Sequence, residues 1–360
     1  MNAHMHVRSP ETRLQARLAG ELRAQTTFRQ LICIVSILRT ALTRIVPMAG
    51  SGAWWLTLVC LLPGLAVYGL MLLGMRLTGA ATATDLARAC LGRLGGWLLP
   101  WLLAAALLMD GTASITALIT VFTEGVGTRG TQLTLAILTG AVLLTCLHRE
   151  GLPRAAYLLR WVLLGAAVLT AVFGLGNVRA DGLFPMLGEG QASLRAAFDA
   201  GWSLAWPMVL LLTIPKEAER PRICAVCPVI LAVLLALLFL TLTVPHELLI
   251  RSRSLADSLL QPTRYVSSAV RTLAQCLLML VFFLAIGGAA QLSTDFLCAP
   301  MGQPPRWLPY AVLILLTATQ ALQPGMLWRV LGIVEPWLLV PFAVLAAACL
   351  PIAIIRRVRT

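Results

Sequence analysis

The chain has 360 residues, 59% of them hydrophobic and only 12% charged, against about 25% charged in a soluble domain. A mean hydropathy of +0.86 is more than a water-soluble core could hide. The net charge of +13 would point to nucleic acid in a soluble protein, but here the basic residues fall between long apolar runs. They read as topology signals and headgroup contacts, with membrane lipid as the partner and no nucleic acid.

A helix rises 1.5 Å per residue, so about twenty apolar residues cross a hydrocarbon core about 30 Å thick. About ten such runs follow a polar tail at 1–27: 28–47, 54–75, 97–122, 133–147, 155–175, 197–214, 224–244, 268–292, 308–322 and 334–355. We expect an all-α, polytopic membrane protein with one transmembrane domain, 28–356. Trp54, Trp97, Trp161, Trp307 and Trp337 sit near run ends, as an aromatic belt. Most Arg residues fall on the side of the N-terminal tail, so positive-inside places both termini in the cytoplasm.

The first run carries Arg39, Thr40, Thr43 and Arg44 and ends at Pro47-Met48-Ala49-Gly50. An Arg at mid-membrane costs about 2.5–3.5 kcal/mol on insertion scales unless it faces water or reaches the interface. One reading is a helix broken at Ala41 and Leu42 that lines a cavity. The other is that both Arg side chains reach the headgroups. Between the second and third runs, 83–94 reads as a short interfacial helix. Asp85 lies early in it and Arg88 and Arg93 late, as the helix dipole prefers.

The third run holds Asp110, followed by Thr112, Ser114 and Thr116. An acid there must face the bundle interior, pair with a base, or be protonated. Arg39 or Arg44 is the expected partner, and a purely structural ion pair is the alternative reading. The connection 177–198 is an external Gly-rich loop with Pro185. The sixth run reads Gly201-Trp202-Ser203-Leu204-Ala205-Trp206-Pro207. Gly201 and Pro207 weaken the helical ladder there, either as a second break or as a simple proline kink. Runs one and six hold corresponding places in two five-span halves, and paired interruptions are a pointer to a binding site.

Cys224 and Cys227 form an isolated CxxC with no further ligands near by, so no metal site and no cofactor are expected. In the eighth run, Gln275 and Gln291 flank the small cluster Gly287–Ala290, which reads as close helix packing. His148 and His246 sit at run ends and read as interfacial. The chain has no nucleophile elbow, zinc-protease or phosphate-loop motif, so it is not expected to be an enzyme.

Several short segments carry a resemblance. Thr27-Phe28-Arg29-Gln30-Leu31, the Pro47–Gly50 turn with Ala53-Trp54, Asp85 through Arg93, Arg149-Glu150-Gly151 with Arg160, the 177–190 segment with its Leu183-x-Pro185, and 341–357 together resemble the B-subunit family of spore germinant receptors. That family is related to the amino acid–polyamine–organocation transporters. The chain departs from it where the family has Phe-Gly-Glu in the sixth span, here Trp206-Pro207-Met208. It departs again where the family has an acidic-basic cluster in the eighth, here Leu273–Cys276, and it lacks a Gly near Ala41 and Leu42.

The resemblance implies an inverted five-plus-five repeat with discontinuous helices 1 and 6, in the inner spore membrane or the cytoplasmic membrane. It implies a central pocket for a small germinant, most naturally an amino acid, with signalling to partner A and C subunits. The expected pocket residues are Thr40, Thr43, Asp110, Ser114, Ser203, Trp206 and Gln275. Hydroxyls would hydrogen-bond the ligand, Trp206 would form a wall, and Asp110 would face an ammonium group. An ion-coupled transporter of amino acids or polyamines is the alternative, and a non-binding assembly scaffold a third.

Overall fold

The computed structural model describes residues 10–126, 140, 151–174, 176, 178, 184–185, 190–201, 204, 206–214, 223–251, 268–302, 305, 307–322 and 333–359. Every regular element among them is helical. Helix α1 (Pro10–Thr40) passes through a π-wound turn (Ala41–Ile45) into α2 (Val46–Ala49), a 3₁₀ turn (Gly50–Gly52) and α3 (Ala53–Thr78). There follow α4 (Ala83–Val126), α5 (Gly151–Gly174), α6 (Gln191–Gly201), α7 (Pro207–Leu211), α8 (Ile223–Thr243) and α9 (His246–Arg251). The chain continues with α10 (Ser268–Cys298), α11 (Leu308–Leu322), a 3₁₀ turn (Glu335–Trp337) and α12 (Leu339–Arg359).

The protein is an all-α, polytopic membrane protein. Among the described residues, five continuous helical stretches are long and apolar enough to span a bilayer: Leu18–Thr78, Ala83–Ile119, Ala225–Thr243, Met279–Cys298 and Leu339–Arg357. Their outward faces are apolar, with Leu62, Leu73, Leu231, Leu235, Val344 and Ile355 all exposed. In water that surface would be an aggregation liability; in a bilayer it is the solvated face. The expected runs fall on these helices and their shorter neighbours, except the fourth, 133–147, which lies outside the described residues apart from Gly140.

Two differences from the sequence reading concern helix ends. The polar tail is helical from Pro10, so α1 begins well before the apolar run. The Ala83 helix is interrupted at Gly92 (φ 65°, ψ −142°), which separates the short amphipathic stretch after Ala83 from the long apolar one.

Helix α4 pairs most extensively with α10, and α12 with α3; α1 is flanked by α5 and α8. Gly111 permits the first of these pairings, since a β-carbon there would stand 3.1 Å from Ala289 Cβ. This is the small-residue packing expected where helices associate without a hydrophobic driving force.

The end of the first span is fixed by a clamp. Gly50 has φ 52° and ψ −120°, a conformation that L side chains rarely adopt. The next residue, Ser51, donates its backbone N–H to His246 Nδ1 (3.1 Å) and its hydroxyl to the Pro185 carbonyl (2.8 Å). His246 thus ties α9 to the turn after α2, and Ser51 ties Pro185 to the same point. A β-carbon on Gly50 would lie 2.5 Å from His246 Nδ1. Gly50→Ala is therefore expected to cost about 1–3 kcal/mol through backbone strain alone, read as a lower Tm in detergent. An unchanged Tm would show that the turn is not held in this conformation.

Candidate functional site

The centre of the bundle holds four charges. Arg39 Nη2 donates to Asp110 Oδ1 (3.0 Å) and to Glu335 Oε1 (2.8 Å). Arg44 Nη2 donates to Glu335 Oε2 at 2.5 Å. Ser36 Oγ donates to Asp110 Oδ1 at 2.6 Å, and Thr40 Oγ1 points at Glu335 Oε1 from 3.5 Å. The Arg39, Asp110 and Glu335 side chains are 3%, 3% and 8% exposed, whereas Arg44 is 18% exposed. Two positive and two negative groups cancel, which is the condition on which a bilayer interior tolerates them.

Local chemistry explains why the first span presents two Arg side chains to one acid. Thr40 Oγ1 donates to the Ser36 carbonyl and Thr43 Oγ1 to the Arg39 carbonyl. Such back-bonding competes with the helical ladder and bends helices. Pro47 then supplies no N–H to the turn before it. The ladder responds by widening into a π turn at Ala41–Ile45, a device common at functional sites. The interruption expected at Ala41 and Leu42 thus takes the form of a π turn rather than an unwound segment.

Among the described residues the sixth segment comprises α6, through Gly201, and α7, from Pro207, with Trp206 in a turn immediately before it. It touches the first segment directly. A β-carbon on Gly201 would lie 2.7 Å from Ile45 Cδ1, inside the π turn, and 2.9 Å from Cys60 Sγ. Cys33 Sγ donates to the Pro207 carbonyl (3.0 Å), and Arg29 Nη1 donates to Thr213 Oγ1 (2.7 Å). Side chains of α1 thereby satisfy polar groups along the resumed segment. Ser193 donates to the Met48 carbonyl, which joins α6 to α2.

Of the expected pocket residues, Thr40, Thr43, Asp110 and Ser114 lie on the facing helices α1 and α4 or on the π turn, and all but the half-buried Thr43 are buried. Trp206 is buried and stacks on Phe342 of α12, with centroids 6.5 Å apart. Ser203 lies outside the described residues, and the Gln275 side chain is likewise outside them. Glu335 was missed by the sequence reading. Its signal was present: it is an acid in the apolar stretch Leu331–Val340, followed by a proline.

Two polar atoms in this region have no hydrogen-bond partner among the described residues, Arg39 Nε and Ser114 Oγ, and both are buried. Ser114 stands one turn beyond Asp110 on α4, and Arg39 holds Asp110. A buried donor without a partner costs about 1–3 kcal/mol, and such exceptions call for an explanation.

The described residues also line a cleft of about 310 Å³, at the polar end of α1. It is bounded by Glu21, Gln25, Phe28 and Arg29 of α1, Arg154 of α5 and Asp295 of α10. None of the expected pocket residues lines it. No group of three or more His, Cys, Asp or Glu residues among the described residues could hold a metal ion.

No family model matches this chain, and no curated protein matches it. Two solved structures of a manganese transporter from Eremococcus coleocola align with 92% of this chain and 78% of theirs at 14% identity. One is a mutant, with a TM-score of 0.49; the other, a complex with an aromatic bis-isothiourea substituted compound, scores 0.41.

The charge network makes its own prediction. Arg39→Leu leaves the buried Asp110 carboxylate without its cation and Glu335 with Arg44 alone, so it should cost about 3–5 kcal/mol, read as a large loss of Tm or of folded yield. Asp110→Asn keeps a hydrogen-bonding side chain and leaves Arg39 with Glu335, so it should cost markedly less. Equal losses in the two variants would mean that Arg39 does not bridge both acids.

Proposed function

We propose that this protein is a membrane-embedded sensor of a small zwitterion, of the spore germinant-receptor B-subunit type, with the ligand an amino acid. The observation that carries the reading is the central constellation. Two donors are without partners among the described residues: Arg39 Nε, on the guanidinium that bridges Asp110 and Glu335, and the buried Ser114 Oγ, one helical turn beyond Asp110. The ligand carboxylate would take Arg39 Nε and Ser114 Oγ. Its ammonium group would take Asp110 or Glu335. Thr40 and Thr43 stand at the π turn, Trp206 closes one side, and Ser203 and Gln275 belong to the same proposed pocket.

On this reading the ion pairs define the unliganded state. A ligand that bears both charges competes with them and shifts the equilibrium by its differential affinity for the two arrangements. The movable elements would be the π turn of the first span and the sixth segment that touches it. The change would pass to partner A and C subunits from a bundle whose termini both face the cytoplasm.

A second reading is an ion-coupled transporter of amino acids or polyamines. It is favoured by the interruptions in the first and sixth segments, which touch at Gly201 and Ile45.

The test uses the purified full-length protein in nanodiscs and a panel of the common amino acids. At about 100-fold over Kd a true ligand stabilises by about 2.7 kcal/mol, read as a raised Tm. The shift should vanish in Glu335→Gln and in Ser114→Ala. No shift with any amino acid, together with normal assembly with A and C subunits, would favour the scaffold reading. Gradient-driven uptake of a radiolabelled ligand into proteoliposomes would favour the transporter; binding without uptake favours the sensor.

A further inference from the structure

The cleft at the polar end of α1 is separate from the central site. Arg29 and Arg39 are ten residues apart on one helix, about 15 Å at 1.5 Å per residue. Glu21 is a further two turns away. Among the described residues the cleft contains two cations and two anions, arranged at two depths. At the rim, Arg154 pairs with Glu21 at 3.3 Å, and both side chains are largely exposed, at 57% and 42%. At the floor lies Arg29, whose charge interacts with that of Asp295. One donor of the Arg29 fork is committed to Thr213 Oγ1, and an Arg side chain has five.

The volume of about 310 Å³ stands at the small end of ligand pockets, which run from about 300 to 1,000 Å³. An exposed ion pair of the Arg154–Glu21 kind adds little to stability and is screened by salt, so it separates readily. A purely anionic ligand would meet two carboxylates here, and a purely cationic one would meet two guanidinium groups. A molecule with one ammonium and one anionic group close together meets a complementary partner for each. Phe28 supplies an apolar wall for its carbon skeleton, and Gln25 a neutral polar contact.

We propose that this cleft is a second binding site, for a small molecule that joins an ammonium group to an anionic group. The anion takes Arg154 and Arg29, and the ammonium takes Glu21 and Asp295. Two sources share that chemistry: a free amino acid, and the headgroup of an ethanolamine phospholipid reaching in from the membrane surface. The site does not depend on the central pocket, and its residues are different.

The experiment uses the full-length protein in phosphatidylglycerol nanodiscs, titrated calorimetrically with O-phosphoethanolamine, glycine, glutamate and inorganic phosphate. Native mass spectrometry of protein taken from membranes containing phosphatidylethanolamine runs in parallel. The expected result is saturable binding of O-phosphoethanolamine or of an amino acid, weakened at least tenfold in both Glu21→Gln and Arg154→Gln. Both positions are exposed enough that the fold tolerates the change. Retained phosphatidylethanolamine, lost in the same variants, assigns the lipid source; amino-acid binding without it assigns the free one. No binding of any of the three amines, binding unchanged in both rim variants, or phosphate alone binding as tightly would overturn the proposal. The central reading fails by a different route, through insensitivity to changes at Ser114 and Glu335.

Discussion

Four charges in the interior of an apolar bundle have to cancel one another, and that requirement organises the structure. Arg39 stands between Asp110 and Glu335, and Arg44 completes the set on Glu335. Moving even one of these groups from water to hydrocarbon without its partner would cost several kcal/mol. The helices that bring them together, α1 with its π turn, α4, and the 3₁₀ turn before α12, are therefore held in register by electrostatics as well as by packing. Membrane helices gain little from burying apolar surface against one another, because lipid is as apolar as leucine. A buried ion network is a stronger device for fixing which helices meet.

On the proposed reading, the same network is the switching element. Each bond in it is charge-assisted and directional, so it has few intermediate geometries. The first span carries its Arg residues at the point where the ladder widens, and the sixth segment presses Gly201 against that same turn. Displacement at the ion network would be felt at once by a second interrupted segment. Trp206 stacked on Phe342 extends the contact to α12, whose preceding turn bears Glu335. The charged centre and the two interruptions form one contiguous group of contacts.

Much of this was legible in the residues. Twenty-residue apolar runs announce helices in lipid, and the positions of Arg39, Arg44 and Asp110 announce groups that need partners, since an unpaired charge has no stable place there. That Arg39 or Arg44 partners Asp110 follows from that economy, and the structure pairs it with Arg39. The amphipathic stretch after Ala83 was visible from Asp85 and Arg93, and the structure ends it at Gly92. Glu335 was not legible as a site residue, because a single acid at the edge of an apolar run resembles an interfacial residue. The π turn was not legible either. Pro47 and the Thr pair predict a weakened ladder, but whether it unwinds or widens depends on what packs against it, here Gly201 and the acid that both Arg side chains reach. The clamp of His246 on Ser51 is a long-range contact that no local pattern encodes.

The account rests on Arg39 and Glu335 being coupled across the bundle. A double-mutant cycle of Arg39→Met and Glu335→Leu, read by unfolding of the purified protein in detergent, measures that coupling directly. The account predicts that the double variant is more stable than the sum of the single losses implies, by about 2 kcal/mol. Strictly additive losses would mean that the two side chains act independently, and would contradict it.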